Sequence, residues 1–229
     1  MLDLISLIRS YTPEELASRI DQTLLISSPD KAIEFAKLSS KYPFRSLVGF
    51  PQMLSYFKKY WKGRLTAVTN FPYGLSPLDA VEKEMREAWE QGAVEVDVVA
   101  SPYLFKKDID EYREYIRGMV GLAREIGFDV VKVIVEAPLL SDEELIRVAK
   151  IIEEVKADFL KTSTGVLAKT KMRDIYLVKM AAPSLEVKAS GGIREPVQAI
   201  SMIALGTSVI GTSTGIEIVE EMKLLKRLI

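Results

Sequence analysis

The chain contains neither cysteine nor histidine. Without cysteine there is no disulfide framework, no zinc-thiolate site and no thiol nucleophile. Without histidine there is no Ser/His/Asp or Cys/His triad, no HExxH zinc site and no imidazole base. An excess of either charge is also lacking: 31 basic and 32 acidic residues leave a net charge of −1. No general field therefore draws the protein to nucleic acid or to an anionic membrane. No apolar run approaches the roughly 18 residues needed to cross a bilayer. The opening MLDLISLIRSYTPEEL places Leu2, Ile5 and Ile8 at helical spacing with Asp3 and Arg9 between them, which is an amphipathic helix and not a signal peptide. Any acid–base or nucleophilic chemistry is thus left to carboxylates, lysines and tyrosines, in a soluble chain expected in the cytoplasm.

What is present is material for a core. The 229 residues are 48% hydrophobic and 28% charged, and they show no linker, low-complexity tract or close repeat. One domain over 1–229 is the expectation. Short apolar runs alternate with longer helical patterns from end to end. The strand candidates are 46–50, 64–68, 94–99, 130–135, 158–162, 185–189 and 208–211, with a weaker one at 21–25. Between them lie helices with readable ends. Ser76 and Pro77 open one whose buried stripe is Leu78, Val81, Met85, Ala88 and Trp89, closed by Gly92. Ser141 with Glu144, and Thr12 with Pro13 and Glu15, read as capping signatures. About eight strand–helix units point to an α/β fold, a single (β/α)8 barrel with an extra N-terminal helix, with an open doubly wound sheet as the alternative.

Ends of barrel strands face one cavity. Three apolar strands carry a charge late in their run: Asp97 in VEVDVV, Lys161 in DFLKT and Lys188 in LEVKA. Alternation sets Phe159, Lys161 and Ser163 on one face, and Glu186, Lys188 and Ser190 on one face of the next strand. If both faces point inward, two ammonium groups share a poorly solvated space, and desolvation and like charge each lower a lysine pKa. A neutral amine is a nucleophile toward an aldehyde or ketone, forming a carbinolamine and then a Schiff base. Alternatively, the lysines pair with Asp97 and Glu95 as structural ions. Two glycine clusters, ASGGIR at 189–194 and GTSTG at 211–215, follow the last two strands and lead into helices. In such barrels these loops hold phosphate on backbone amides, here those of Gly191, Gly192, Gly211, Ser213 and Thr214, with Arg194 beside them either facing the anion or simply exposed.

IDQTLL, VEVDVV, FLKTSTG, VKASGGIR and VIGTSTG, falling in that order along the chain, resemble deoxyribose-phosphate aldolase, a class I aldolase family with a TIM-barrel fold, over nearly the whole chain. The resemblance implies that Lys161 is the Schiff-base lysine, Lys188 the neighbour that lowers its pKa, and Asp97 and Asp21 members of a proton relay. It further implies that Thr162, Ser163, Gly165 and Ser190 join the glycine-loop residues in substrate binding. Lys132 assists the same polar network or forms a structural pair with Glu136 or Glu95. The implied reaction is reversible cleavage of 2-deoxyribose 5-phosphate to acetaldehyde and glyceraldehyde 3-phosphate, with no metal or organic cofactor, in a homodimer or homotetramer. Two positions depart from the family pattern: Gln22 stands where histidine is common, and Val166 follows KTSTG where many members have lysine. A metal-assisted phosphosugar isomerase using Asp97, Glu95 and Glu136, and a non-catalytic phosphometabolite-binding barrel, remain as alternatives.

Overall fold

The computed structural model describes residues 4–228. Eight parallel strands close on themselves in sequence order: β1 (Ile20–Thr23), β2 (Ser46–Gly49), β3 (Arg64–Thr69), β4 (Glu95–Val99), β5 (Val130–Ile134), β6 (Phe159–Lys161), β7 (Glu186–Ser190) and β8 (Val209–Thr212), the last pairing with β1. This is the (β/α)8 TIM barrel the periodicity calls for, and the weak segment at 21–25 supplies its first strand. The closure leaves no sheet edge, so the open doubly wound alternative does not hold.

Period-two alternation divides each strand between two environments. Outward residues such as Leu47, Val96, Val98, Val131 and Val187 join the main apolar core with the surrounding helices. Inward residues are mixed. Val48, Val68, Val99 and Ile134 are buried, and so are Asp21, Glu95, Asp97, Lys132, Lys161 and Lys188. A barrel interior that admits six charged side chains must pair them, because an isolated buried charge costs several kcal/mol.

Two short helices precede β1. In the first, Leu4–Arg9, Ile8 is buried and Ile5 is half exposed, while Leu2 and Asp3 lie outside the described residues. The second, Pro13–Ala17, starts at a capping box of Thr12 and Glu15, and the same device of Ser141 and Glu144 starts the helix Asp142–Glu154. The helix Leu78–Glu90 differs in detail from expectation. Its N-cap is Pro77, with no side-chain cap hydrogen bond, and Ser76 lies one residue earlier, its N–H donating to Asn70 Oδ1 at 3.0 Å. Trp89 leaves the buried stripe; it is 39% exposed and its ring meets Phe128 edge-on. Among the described residues no helix is long and apolar enough to cross a membrane.

Candidate active site

Register places the site. Lys161 and Lys188 are direct Cα partners across β6 and β7, Asp97 and Lys132 are partners across β4 and β5, and Asp21 pairs with Gly211 across β1 and β8. Because all these positions point inward, the three lysines and the two aspartates converge near the C-terminal mouth. Gly211 makes this possible. A Cβ there would lie 3.0 Å from Lys188 Cε and 2.8 Å from Ser190 Cβ, so only glycine leaves room for the lysine stem.

Asp97 is the hub. Its Oδ2 accepts from Lys161 Nζ at 2.9 Å and from Lys188 Nζ at 2.6 Å, and its Oδ1 accepts from Lys132 Nζ at 3.0 Å. Lys188 also donates to Asp21 Oδ2 at 2.6 Å, and Lys132 to Glu95 Oε2 at 2.6 Å. The two aspartates and two lysines expected to act together are therefore in one hydrogen-bonded group. Lys132 joins the same network and pairs with Glu95 as well: it is wholly buried against Glu95 and Asp97, and Glu136 is not its partner. Arg45, immediately before β2, closes the group from the N-terminal side through Asp21 and Glu95, each at 2.8 Å.

This arrangement acts differently on each proton. Burial works to raise the Asp97 carboxyl, but Lys132, Lys161 and Lys188 outweigh it and hold the group well below the usual carboxylate range. Burial also opposes ionisation of Glu95, yet Lys132 and Arg45 bring it down to about 2. Burial disfavours the Lys132 ammonium, and Asp97, Asp21 and Glu95 more than restore it, so its pKa is raised. Lys161 goes the other way. Desolvation dominates, the single contact with Asp97 opposes it, and the positive charge of Lys188 adds to it, leaving the amine at about 8 against an ordinary 10.5. The lowered pKa falls on the lysine with the fewest anionic contacts.

Stability carries the same signature. Between pH 8 and 10.5 the unfolded chain holds a proton on Lys161 that the folded chain has released, so the Lys161 contribution makes stability rise with pH across that window. The difference in unfolding free energy between wild type and Lys161→Leu, which cancels groups common to both, is expected to move by about 3 kcal/mol in favour of wild type from pH 7 to pH 11. Denaturant titration at several pH values measures it.

Above Lys161 lies a cavity of about 300 Å³. Lys161 is the one lysine lining it, beside an apolar wall of Leu24, Leu25, Val68, Phe71 and Ile193. Ser190, Gly191, Gly192, Arg194, Gly211 and Ser213 also line it, with Thr164 and Gly165 from the loop after β6. Phe71 comes from the loop after β3. Gly191 and Gly192 adopt φ of 100° and 82°, and Gly165 of 77°, the left-handed region that favours glycine. A Cβ on Gly191 would be 3.1 Å from Gly165 Cα, so the two loops touch backbone to backbone.

Four residues expected to touch substrate do not line the cavity. Thr162 follows the lysine in the pleat and so turns outward, where its hydroxyl meets Thr170 and accepts from Ser190 N at 3.1 Å. Ser163 ties its own loop, donating to Ala168 O at 2.7 Å and accepting from Gly165 N at 2.9 Å. Thr214 N–H is taken by Thr212 Oγ1 at 3.1 Å. Lys132 lies below Lys161, as described. Gln22 also faces outward, accepting from Gly215 N at 2.8 Å at the start of the last helix, so its departure from histidine does not alter the cavity lining. Glu136 was legible only as a metal ligand or ion-pair candidate. Held at φ 49°, it accepts from Thr164 N and Ser163 Oγ and so anchors the loop after β6. Burial raises its pKa against the Thr164 hydrogen bond.

A closed barrel that presents one desolvated amine to a cavity of this size, with an aspartate and a second amine beneath it, places the chain among the TIM-barrel aldolases, which are lyases. No protein-family model matches the chain. Among individual proteins, the deoxyribose-phosphate aldolase of Caldicellulosiruptor saccharolyticus is 38% identical over 219 residues, covering 92% of this chain and 99% of its own. That of Aeropyrum pernix is 37% identical over 223 residues, covering 94% and 93%. A solved structure of the Aeropyrum pernix enzyme, described as a unique tetramer, superposes with a TM-score of 0.88 at 33% identity over 97% of this chain and 98% of that one. The chain belongs to the deoxyribose-phosphate aldolase family.

Proposed function

We propose that the chain cleaves 2-deoxyribose 5-phosphate reversibly to acetaldehyde and glyceraldehyde 3-phosphate through a Schiff base on Lys161, acting as one catalytic domain over 1–229. The observation that carries this reading is the placement of Lys161 as the one lysine lining the cavity, with burial bringing its amine to about 8. The neutral Nζ attacks C1 of the open-chain sugar, and loss of water from the carbinolamine gives an iminium. As the 3-hydroxyl gives up its proton, the C2–C3 bond breaks and its electron pair flows into the iminium, forming an enamine and releasing the three-carbon aldehyde. Protonation at C2 and hydrolysis of the iminium free acetaldehyde and restore the amine.

Asp97 holds its proton too weakly to store one, so its part is to steady the iminium charge and to orient Lys188, which with water moves the protons. Asp21 fixes Lys188 in that relay. The phosphate is assigned to the amides of Gly191, Gly192 and Ser213 with the side chain of Arg194, all of which line the cavity that Lys161 enters. The metal-assisted alternative is weaker because its three carboxylates are engaged: Glu95 with Arg45, Arg64 and Lys132, Asp97 with three lysines, and Glu136 with the loop after β6. The chain is further read as a cytoplasmic homo-oligomer, in keeping with the tetrameric Aeropyrum pernix relative.

Incubation with 2-deoxyribose 5-phosphate is expected to release acetaldehyde and glyceraldehyde 3-phosphate in equal amounts, undiminished by EDTA. Absence of acetaldehyde, or its loss on chelation, contradicts the reading. Gly191→Ala is a narrower test of the phosphate loop. Its methyl meets the Gly165 backbone at a φ of 100°, so an increase of about tenfold in KM and a stability loss of roughly 1–3 kcal/mol are expected. Steady-state kinetics and denaturation on the same preparation read both.

A further inference from the structure

The barrel interior below the cavity holds more cations than carboxylates. Setting aside Arg64, which is half exposed at the rim, and Glu136, which is hydrogen-bonded to the loop after β6 and makes no ion pair with these cations, Arg45, Lys132, Lys161 and Lys188 pair only with Asp21, Glu95 and Asp97. One of the four must go short, and the hydrogen bonds say which. Arg45 Nη1 takes Asp21 Oδ1 and Glu95 Oε2, and its Nη2 takes Glu95 Oε1, all at 2.8 Å. Lys188 and Lys132 then satisfy themselves with what remains of Asp21 and Glu95 and with Asp97. Lys161 is left with one oxygen, Asp97 Oδ2 at 2.9 Å, which it shares with Lys188.

We propose that Arg45 is a positioning residue for Lys161: by saturating Asp21 and Glu95 from the N-terminal side of the barrel, it makes Lys132 and Lys188 lean on Asp97 and so denies Lys161 a carboxylate of its own. This rests on the reading of Lys161 as the Schiff-base amine. Arg45 touches neither the cavity nor Lys161; it lines none of the pocket and is itself mostly buried, its guanidinium lying 5.9 Å from the Phe159 ring centroid, on the ring that Lys132 also approaches. Its bidentate fork suits it to the task, since one guanidinium occupies oxygens of two carboxylates at once.

The charged groups around Lys161 come from every side of the barrel: Asp21 from β1, Arg45 ahead of β2, Arg64 from β3, Glu95 and Asp97 from β4, Lys132 from β5, Glu136 after it, and Lys188 from β7. Removing Arg45 equalises the interior charges with Lys161 protonated. Asp21 and Glu95 then draw Lys188 and Lys132 toward themselves, and Asp97 is freed to hold the Lys161 ammonium. Removing Glu95 does the reverse. Arg45 and Lys132 then compete for the remaining carboxylates, and Lys161 loses its share of Asp97.

The test is the pH dependence of Lys161 acylation by brief exposure to acetic anhydride, read by peptide mass, which reports amine basicity without any aldol step. Arg45→Leu is expected to shift the midpoint upward by about one pH unit, with turnover near neutral pH down about tenfold and recovering at alkaline pH. Glu95→Gln is expected to shift the midpoint downward. Shifts of opposite sign from two residues that do not touch the amine support the proposal. Midpoints that stay put, or move the same way in both variants, overturn it. If Arg45→Leu does not fold, Glu95→Gln decides alone: a downward shift supports the proposal, and an unmoved or raised midpoint overturns it. Reductive trapping with acetaldehyde on the wild-type protein separates the two claims. Opposite shifts without any trapped adduct would sink the aldolase chemistry and leave the action of Arg45 standing.

Discussion

Replacing Lys161 by leucine is expected to remove turnover by about four orders of magnitude or more while the barrel stays folded. Both halves of that outcome follow from the same geometry. The covalent route needs a nucleophile at the base of the cavity, and no second lysine lines it to take over. Lys188 is one strand away but is held by Asp21 and Asp97 at 2.6 Å each, beneath the cavity floor. Removal of most buried charges destabilises a protein because a partner is left unpaired. Here the partner, Asp97, keeps Lys132 and Lys188, and the charge lost is the one the interior has in excess. Circular dichroism and a melting curve at neutral pH should therefore match or exceed wild type, whereas retro-aldol turnover should fall to background. Substantial residual turnover would show that the amine at 161 does not carry the reaction.

Lys188→Met is expected to lower kcat by about 10²- to 10⁴-fold, the range for loss of a positioned proton-transfer group, and to destabilise the fold by roughly 3–5 kcal/mol. The contrast with Lys161→Leu is informative because the two residues are register partners on neighbouring strands. Lys188 bridges two fully buried carboxylates, so its loss leaves Asp21 with Arg45 as its one hydrogen-bonded cation and takes from Asp97 one of its two closest contacts. It also removes a positive charge that helps keep Lys161 near 8, so the Lys161 midpoint should move up. Raising the pH restores the neutral amine in this variant but does not replace the relay, and kcat should stay low across the alkaline range. A profile that recovers fully at high pH would reduce Lys188 to an electrostatic neighbour of Lys161.

The centre of the site was legible because β-strands obey a period of two. Lys161 and Lys188 each interrupt an apolar strand late in its run, and the same alternation that turns one residue inward turns its partner inward as well. Asp97 follows from the same pattern in VEVDVV. That rule, applied strictly, also turns Thr162 outward, away from the cavity in which the motif resemblance places it. Other features had no local signal. Arg45 sits one residue before β2, where a charge ordinarily caps a strand in solvent, and nothing in RSLVG says that its side chain folds into the barrel to reach Asp21 and Glu95. The apolar wall is similarly hidden, since Leu24, Leu25, Phe71 and Ile193 come from three separate βα loops and are brought together only by closure of the barrel. The touching backbones of Gly165 and Gly191 explain both loops' glycines as a packing requirement between neighbours, which neither loop reveals alone.

Reductive trapping bears most directly on the central claim. The protein is mixed with acetaldehyde and sodium borohydride over a range of pH, digested, and the ethylated peptide identified by mass. The expected product is a single ethyl group on Lys161, with yield rising through pH 8 as the amine loses its proton. An unmodified peptide at 161, or ethylation spread over surface lysines with Lys161 spared, would contradict the account.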